Sequence, residues 1–271
     1  REDRHQPQDD RHRAGHVGER LLQLLVQPVD PGAAAHVADR RAGRQELLPL
    51  EQELRHGGFT ALLPKLRGVR ERARGTGLWA AFVPERFGGA GLSLLEFAHM
   101  SEELGRSPLG HYAFNCQAPD AGNMEVLMQH GTPAQQERFL VPLVRGDIRS
   151  CFTMTEPEFA GSNPVWLGTT ARKDGDAWVI TGHKWFATGA DAAAFAICMA
   201  TTNPDAEDRY RRASMILVPT DTPGYELVGN LSIMGERGGD WASHGEVSYQ
   251  HARVPLDHLL GGEGMGFVIA Q

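Results

Sequence analysis

Two short stretches decide the interpretation of this chain: CFTMTEP at residues 151–157 and GHKWFATG at residues 182–189. The first is rich in hydroxyl groups and main-chain N–H donors, and it ends in a turn-forming Glu-Pro pair. The second places the large indole of Trp185 beside small residues that form hydrogen bonds. Both lie beyond Gly146, where the periodicity of the sequence changes from helical to strand-like.

The sequence before these stretches is helical in pattern. From residue 46, leucines at helical spacing predict two short helices that are separated by Gly57-Gly58, the second ending near residue 75. SLLE at residues 93–96 and TPAQ at residues 132–135 are capping boxes that each open a helix. The sequence therefore predicts an N-terminal all-helical domain over residues 46–150.

The later part of the chain alternates short apolar runs with turn residues. Four runs rich in β-branched and aromatic residues predict strands, at residues 177–181, 195–199, 214–218 and 246–249. They indicate a small antiparallel β-barrel or sandwich as the middle domain, residues 151–260. Residues 261–271 look like the start of a helix. The predicted fold class is multi-domain α+β.

Residues 1–45 are strongly polar and predict a poorly ordered leader. His5, His12 and His16 in this leader are candidate metal ligands. Neither cysteines nor paired carboxylates accompany them, so a solvated tail is the preferred interpretation and no metal is predicted.

Composition restricts the class of protein. The net charge of −7 over 271 residues disfavours a nucleic-acid partner, and no apolar run is long enough to cross a bilayer. No secretory signal is visible. The cysteines Cys116, Cys151 and Cys198 are few, odd in number and widely spaced, which predicts buried thiols in a reducing cytoplasm.

With the two stretches, several further motifs in the same order resemble the acyl-CoA dehydrogenase family. They are LWA (78–80), PERFGG (84–89), EELGRS (102–107), FNCQAPDAGNME (114–125), VP (254–255) and GMGF (264–267). Residues 114–125 are similar to the subgroup of multidomain acyl-CoA dehydrogenases with a kinase-like partner domain and to their stand-alone bacterial relatives. The resemblance covers roughly residues 46–271 and implies a helical domain, a β-domain and a C-terminal helical bundle around FAD.

The resemblance implies a set of flavin-contacting residues in the first stretch. Phe152, Met154 and Thr155 match the segment that contacts the edge of the flavin ring, where hydrogen bonds stabilise charge on the reduced ring. Gly161 and Ser162 match a turn that meets the FAD pyrophosphate or nearby substrate. The alternatives are a threonine that satisfies a strand end and an ordinary turn serine.

The second stretch is implied to cover the flavin from another side. Trp185 matches the tryptophan that packs against the flavin and excludes water, with a core tryptophan as the alternative. Many family members have a threonine where this chain has Ala187. Either the Ala187 main chain serves, Thr188 substitutes, or the contact is lost. The other tryptophans are interpreted as packing residues: Trp79, Trp166, Trp178 and Trp241.

The implied reaction is the α,β-dehydrogenation of an acyl-CoA thioester, in fatty acid metabolism. The resemblance implies FAD as cofactor, electron-transfer flavoprotein as the electron acceptor and a homo-oligomer for the full-length family. The family's catalytic base lies in the C-terminal bundle, which this chain is expected to lack, so no catalytic residue is named. Glu156 is interpreted as a structural turn residue. Arg209, Arg211 and Arg212 are candidates for CoA phosphates, with a solvated loop preferred.

An alternative function stays open at this point. The chain is either a dehydrogenase-like flavoenzyme that is incomplete as given, or an inactive fold that binds FAD or acyl-CoA weakly or serves as an inert partner subunit.

Overall fold

The computed structural model describes the backbone of residues 40–271 and the side chains of residues 49–271. The predicted leader histidines lie outside these residues. By its contacts the chain divides into two compact units, one ending at Cys116 and the other covering Gln117–Gln271. The domain boundary expected near residue 150 stays a prediction.

The first unit is helical. Its elements are α1 (Arg40–Gly75), a 3₁₀ turn (Glu85–Phe87), α2 (Leu94–Leu104) and α3 (Gly110–Ala113). Gly58 interrupts α1 with φ 74° and ψ 172°, a conformation that glycine adopts without a steric cost. The predicted helix break at Gly57-Gly58 is therefore confirmed. Leu62 and Leu66 are buried in this unit.

A buried arginine organises the end of the first unit. The guanidinium of Arg70 lies over the rings of Trp79 (4.7 Å) and Tyr112 (4.6 Å) and donates to Asn115 Oδ1 at 3.0 Å. These contacts compensate the burial of its charge.

Helices begin the second unit. They are α4 (Asp120–His130), α5 (Pro133–Gln135), a π-helical turn (Gln136–Leu140) and α6 (Val141–Arg145). Pro142 lacks an N–H for the ordinary helical ladder, and the wider π turn ends two residues before it, at Leu140. Both predicted capping boxes are confirmed.

One eight-stranded sheet forms the body of the second unit. Its strands are β1 (Ser150–Thr153), β2 (Thr170–Asp174), β3 (Ala177–Thr188), β4 (Phe195–Thr201), β5 (Ala213–Pro219), β6 (Tyr225–Asn230), β7 (His244–Pro255) and β8 (Leu259–Leu260). The order is β6-β7-β3-β2-β4-β5-β8, with β1 paired to β4. A short α7 (Gly266–Ala270) follows. The predicted α+β class, with a helical part followed by an antiparallel β-domain, is confirmed, and the sheet observed is mostly antiparallel.

Two parallel pairings on β4 position the candidate site. Strand β1 runs parallel to β4 from Ser150 opposite Phe195 to Thr153 opposite Cys198. Strand β2 meets the same strand at Thr170 opposite Thr201. The intervening segment, residues 154–169, therefore leaves the sheet opposite Cys198 and rejoins it opposite Thr201, so both of its ends lie beside the same strand, β4.

The core of the sheet contains two of the cysteines. Cys151 and Cys198 are fully buried beside Trp178, Ile216 and Tyr249. Cys116 is buried in the first unit. All three are free thiols, which confirms their interpretation as small buried hydrophobic residues. No helix among residues 40–271 is long and apolar enough to cross a membrane.

Candidate functional site

Thr155 and Trp185 lie next to each other on neighbouring segments, and a flavin between their side chains stays a prediction. The Thr155 hydroxyl donates to the carbonyl of Trp185 at 2.8 Å, and the Trp185 N–H donates to the carbonyl of Thr155 at 3.0 Å. Both side chains are partly exposed. The hydroxyl bond also suits the alternative of a satisfied strand end, so a ligand contact of Thr155 stays a prediction.

A β-bulge presents the aromatic part of the site. Between the pairs Lys184–Val247 and Ala187–Gly245, two residues of β3 oppose one residue of β7. The second of them, Phe186, has φ 51°, which is rare for a bulky residue, and is exposed. Its ring centroid lies 4.8 Å from that of Trp185. Bulges and positive φ values concentrate at functional sites, and here they turn two aromatic rings toward solvent.

The bulge also changes which side chains of β3 face the core. Ala187 is fully buried in the sheet core, so only its main-chain groups remain for a ligand. Thr188 is half-buried, and its hydroxyl lies 3.0 Å from His244 Nδ1. The three alternatives for the missing threonine therefore stay predictions: the Ala187 main chain serves, Thr188 substitutes, or the contact is lost. Phe152 is half-buried on β1.

A buried ion pair, formed by Lys184 and Glu156, directly adjoins Thr155 and Trp185 in the chain. Lys184 Nζ is 2.8 Å from Glu156 Oε1 and donates to the Met154 carbonyl at 2.8 Å. Glu156 also accepts from the N–H groups of Gly168 and Thr169, the latter at 2.9 Å. Sequence reasoning identified Glu156 as structural but missed Lys184.

The titration of Glu156 agrees with a structural role. Burial acts to raise the pKa of this carboxyl, but the charge of Lys184 and hydrogen bonds from Lys184, Thr169 and Gly168 outweigh it and hold the pKa below its ordinary value. A general base needs a free lone pair and a pKa near the working pH. Glu156 has its oxygens engaged and its pKa low, so it is poorly suited to be a base.

A shallow cleft adjoins Thr155. It is lined by residues of the loop that follows β1, including Phe159, Gly161, Asn163 and Trp166. Gly161 and Ser162 are exposed, and a Cβ on Gly161 would lie 3.3 Å from Thr155 Cγ2. Glycine at position 161 therefore keeps open the space beside the threonine methyl group.

The tryptophans only partly follow the sequence interpretation. Trp79 and Trp178 are buried, which confirms them as packing residues. Trp166 is 59% exposed at the cleft, so its assignment to packing is wrong. The Trp166 N–H donates to the Asn163 carbonyl at 3.2 Å, in a turn that contains Pro164. Trp241 is half-buried, and its indole N–H donates to the Ala118 carbonyl at 2.6 Å.

A histidine on β3 ties the cleft loop to the sheet. His183 Nδ1 is 2.9 Å from Glu158 Oε1, and its Nε2 is 2.8 Å from Glu246 Oε1. The hydrogen bond with Glu158 is the largest cause of a raised His183 pKa, and burial opposes it. Sequence reasoning missed this bridge because its three members are far apart in the chain.

Other candidate residues lie away from these segments. Arg209 and Arg211 are exposed, and Arg212 Nε donates to the Ala206 carbonyl at 3.1 Å within the same loop. This arrangement agrees with the preferred interpretation of a solvated loop. Within the described part of the chain, no group of three or more histidine, cysteine or acidic side chains could hold a metal ion.

Comparison with known proteins adds independent information. Residues 38–147 match the model of the acyl-CoA dehydrogenase N-terminal domain, and residues 151–250 match that of the middle domain. The mouse acyl-CoA dehydrogenase family member 10 is 40% identical over 238 residues, covering 84% of this chain. The human acyl-CoA dehydrogenase family member 11 is 37% identical over 262 residues, covering 92% of it.

Solved structures agree with these relatives. A structure from Mycobacterium abscessus, assigned to an acyl-CoA dehydrogenase, is 40% identical with a TM-score of 0.77 and covers 96% of this chain. Butyryl-CoA dehydrogenase from Megasphaera elsdenii is 25% identical with a TM-score of 0.71 and covers 99%. The chain spans 22% of the mouse protein, 33% of the human protein and 62% of each of the two solved chains.

Proposed function

Because the chain belongs to the acyl-CoA dehydrogenase family, we propose that it carries the flavin-binding segments of an enzyme that dehydrogenates acyl-CoA thioesters. The observation that supports this most directly is the double hydrogen bond between Thr155 and Trp185. It joins a polar segment to the main chain that carries the Trp185 indole, and a flavin ring needs such polar and flat apolar surfaces at its edge and its face.

The residues present fit FAD. The Thr155 hydroxyl donates to a carbonyl, so its lone pairs remain to accept from an N–H of the ring. The half-exposed Trp185 supplies a flat apolar face that excludes water. The exposed turn at Gly161 and Ser162 offers main-chain and hydroxyl groups to the pyrophosphate. FAD, when bound, accepts the hydride that leaves the β-carbon of the thioester.

The chain's own residues then have separate roles. Phe152, Met154 and Thr155 orient the ring edge, and Thr188 substitutes for the hydroxyl that Ala187 lacks. The burial pattern of β3 supports Thr188, because Lys184 and Ala187 face inward while Thr188 is on the partly exposed side with Trp185. The acyl-CoA substrate, transfer of electrons to electron-transfer flavoprotein, a homo-oligomeric state and a cytoplasmic location are parts of the same proposal.

The test begins with binding. The purified chain is titrated with FAD while tryptophan fluorescence is followed, and bound flavin is quantified after gel filtration. We expect quenching and retained flavin. An acyl-CoA series is then added without oxygen to the flavin-loaded protein, and loss of flavin absorbance is recorded. Folded protein that retains no FAD at any concentration would contradict the proposal.

A further inference from the structure

We propose that Lys184 and Glu156 are positioning residues, a buried clamp that fixes the Met154–Thr155 segment and the cleft loop (residues 157–167) for flavin binding. The ligand rests on the function proposed above, whereas the clamp is argued from geometry alone. The two side chains are only 0% and 2% exposed and lie 2.8 Å apart.

The clamp holds three separate pieces of chain. The Lys184 ammonium donates to the Met154 carbonyl and to Glu156 Oε1, both at 2.8 Å. The carboxylate in turn accepts the N–H groups of Gly168 and Thr169. The start of the cleft loop, its end and strand β3 therefore meet at one ion pair.

The clamp lies where the two ends of the cleft loop come together beside β4. Strands β1 and β2 both pair with β4, at Thr153 opposite Cys198 and at Thr170 opposite Thr201. The Thr201 N–H also donates to the Thr169 carbonyl at 2.8 Å. The sheet thus brings the loop ends close, and Glu156 closes the remaining gap with hydrogen bonds.

Lys184 also connects the start of the cleft loop to the β-bulge that contains Trp185 and Phe186. It directly precedes Trp185, whose main chain bonds to Thr155. A shift of the ammonium would move the Met154 carbonyl on one side and Trp185 on the other. The Lys184 side chain thus adds to the two hydrogen bonds between Thr155 and Trp185 that join the same segments.

Stability alone is a weak reason to retain such a pair. Replacing a buried ion pair by apolar residues of similar volume is often neutral or stabilising, whereas removing one partner strands a buried charge. An ion pair, unlike an apolar contact, fixes the direction of every group that it binds. Here the fixed groups are the carbonyl of Met154 and the N–H groups at the loop's far end.

The main test compares Lys184→Met with Lys173→Met. Lys173 is a matched control because it also pairs with a glutamate, Glu263 at 2.7 Å, but on the exposed surface. Hydrogen exchange of peptides covering residues 154–169 is measured without flavin, and FAD affinity is measured by titration. For Lys184→Met we expect faster exchange in these peptides, FAD binding weakened about tenfold or more, and an altered absorbance spectrum of bound flavin. Lys173→Met should leave all three unchanged.

A second variant covers the case in which Lys184→Met does not fold. Glu156→Gln combined with Lys184→Met removes both charges together, so no buried charge is stranded. We expect this double variant to fold and to show the same faster exchange and weaker FAD binding. Wild-type exchange, or faster exchange with wild-type FAD affinity, in either folded variant would overturn the proposal. Failure of the wild type to bind FAD would refute the proposed function, while the exchange measurement would still decide whether the clamp orders the loop.

Discussion

At the residue scale, the hydroxyl of Thr155 is the feature on which the candidate site depends. It combines a structural bond to the Trp185 carbonyl with free lone pairs at the partly exposed surface. For Thr155→Val we expect the free energy of unfolding to fall by about 1 kcal/mol, because a carbonyl loses its hydrogen bond. We also expect weaker FAD binding. Chemical denaturation and flavin titration measure the two effects.

Thr220→Val is the matched control for that substitution. The Thr220 hydroxyl also donates to a main-chain carbonyl, that of Ala193, at 2.8 Å and is also partly buried. It should lose similar stability and keep full FAD affinity. Equal FAD affinity in both variants would show that Thr155 does not contribute to flavin binding and only satisfies the end of a strand.

At this scale, the sequence identified candidate residues where the residue type and its neighbours in the chain carried the information. Whereas their flavin contact stays a prediction, the choice of Thr155 and Trp185 as candidate residues followed from two short stretches. The pairing of Lys184 with Glu156 did not, because a lysine within a strand carries no local sign that it is buried. The exposure of Trp166 was missed for a related reason, since tryptophan is usually highly buried and nothing in its local sequence marks it as exposed.

At the element scale, two capping boxes with the same local signature have different surroundings. Glu96 is at the protein surface and serves only the cap of α2, where it accepts from Ser93 N at 2.8 Å. Gln135 accepts from Thr132 N at 3.0 Å, but its amide also donates to the carbonyls of Asp257 (2.6 Å) and Leu259 (2.9 Å). The second box therefore joins a helix to the chain around β8.

Isosteric exchanges separate these two roles. Gln135→Glu keeps the cap acceptor but turns an oxygen toward two carbonyls, so we expect a loss of about 2 kcal/mol or more in the free energy of unfolding. Glu96→Gln keeps its cap and has no such second contact, so the change should stay within about 0.5 kcal/mol. Denaturant unfolding of both variants checks this. Equal losses would mean that the contacts of Gln135 with the β8 region contribute nothing.

The elements themselves were partly predictable. Helix starts with a capping box, the break in α1 and four apolar strands were all expected from sequence. Strands β1, β2, β6 and β8 were not, because they are short or have exposed polar faces and exist through pairing with a neighbour. The bulge in β3 is likewise set by its register with β7.

At the scale of the whole molecule, the three thiols report on global unfolding. Burial raises the pKa of Cys116 to about 12 and that of Cys151 to about 12, and it also raises the pKa of Cys198. Because the thiolate is the reactive form, we expect the folded protein at about pH 8 to resist a thiol reagent and the denatured protein to react at all three positions. Mass spectrometry identifies the labelled residues. Rapid labelling of one cysteine in the folded state would show local opening at that residue.

The overall sheet order is the part of the fold that sequence could least supply. Residue patterns predicted a small antiparallel barrel or sandwich, but the parallel pairing of β1 with β4 joins segments far apart in the chain. That pairing and the bridge from Thr170 of β2 to Thr201 of β4 together make residues 154–169 an excursion from the sheet that returns to the same strand.

The two ends of residues 154–169 are held close together, and this has a consequence for how the sequence of this segment can change. Since Glu156 and the pairings on β4 hold both ends, the stretch between them can be exchanged as a cassette while the strands keep their register. In a homologous or designed version, the cleft loop beside Thr155 could be longer, shorter or different in sequence while the sheet stays the same. Selectivity would then evolve separately from folding.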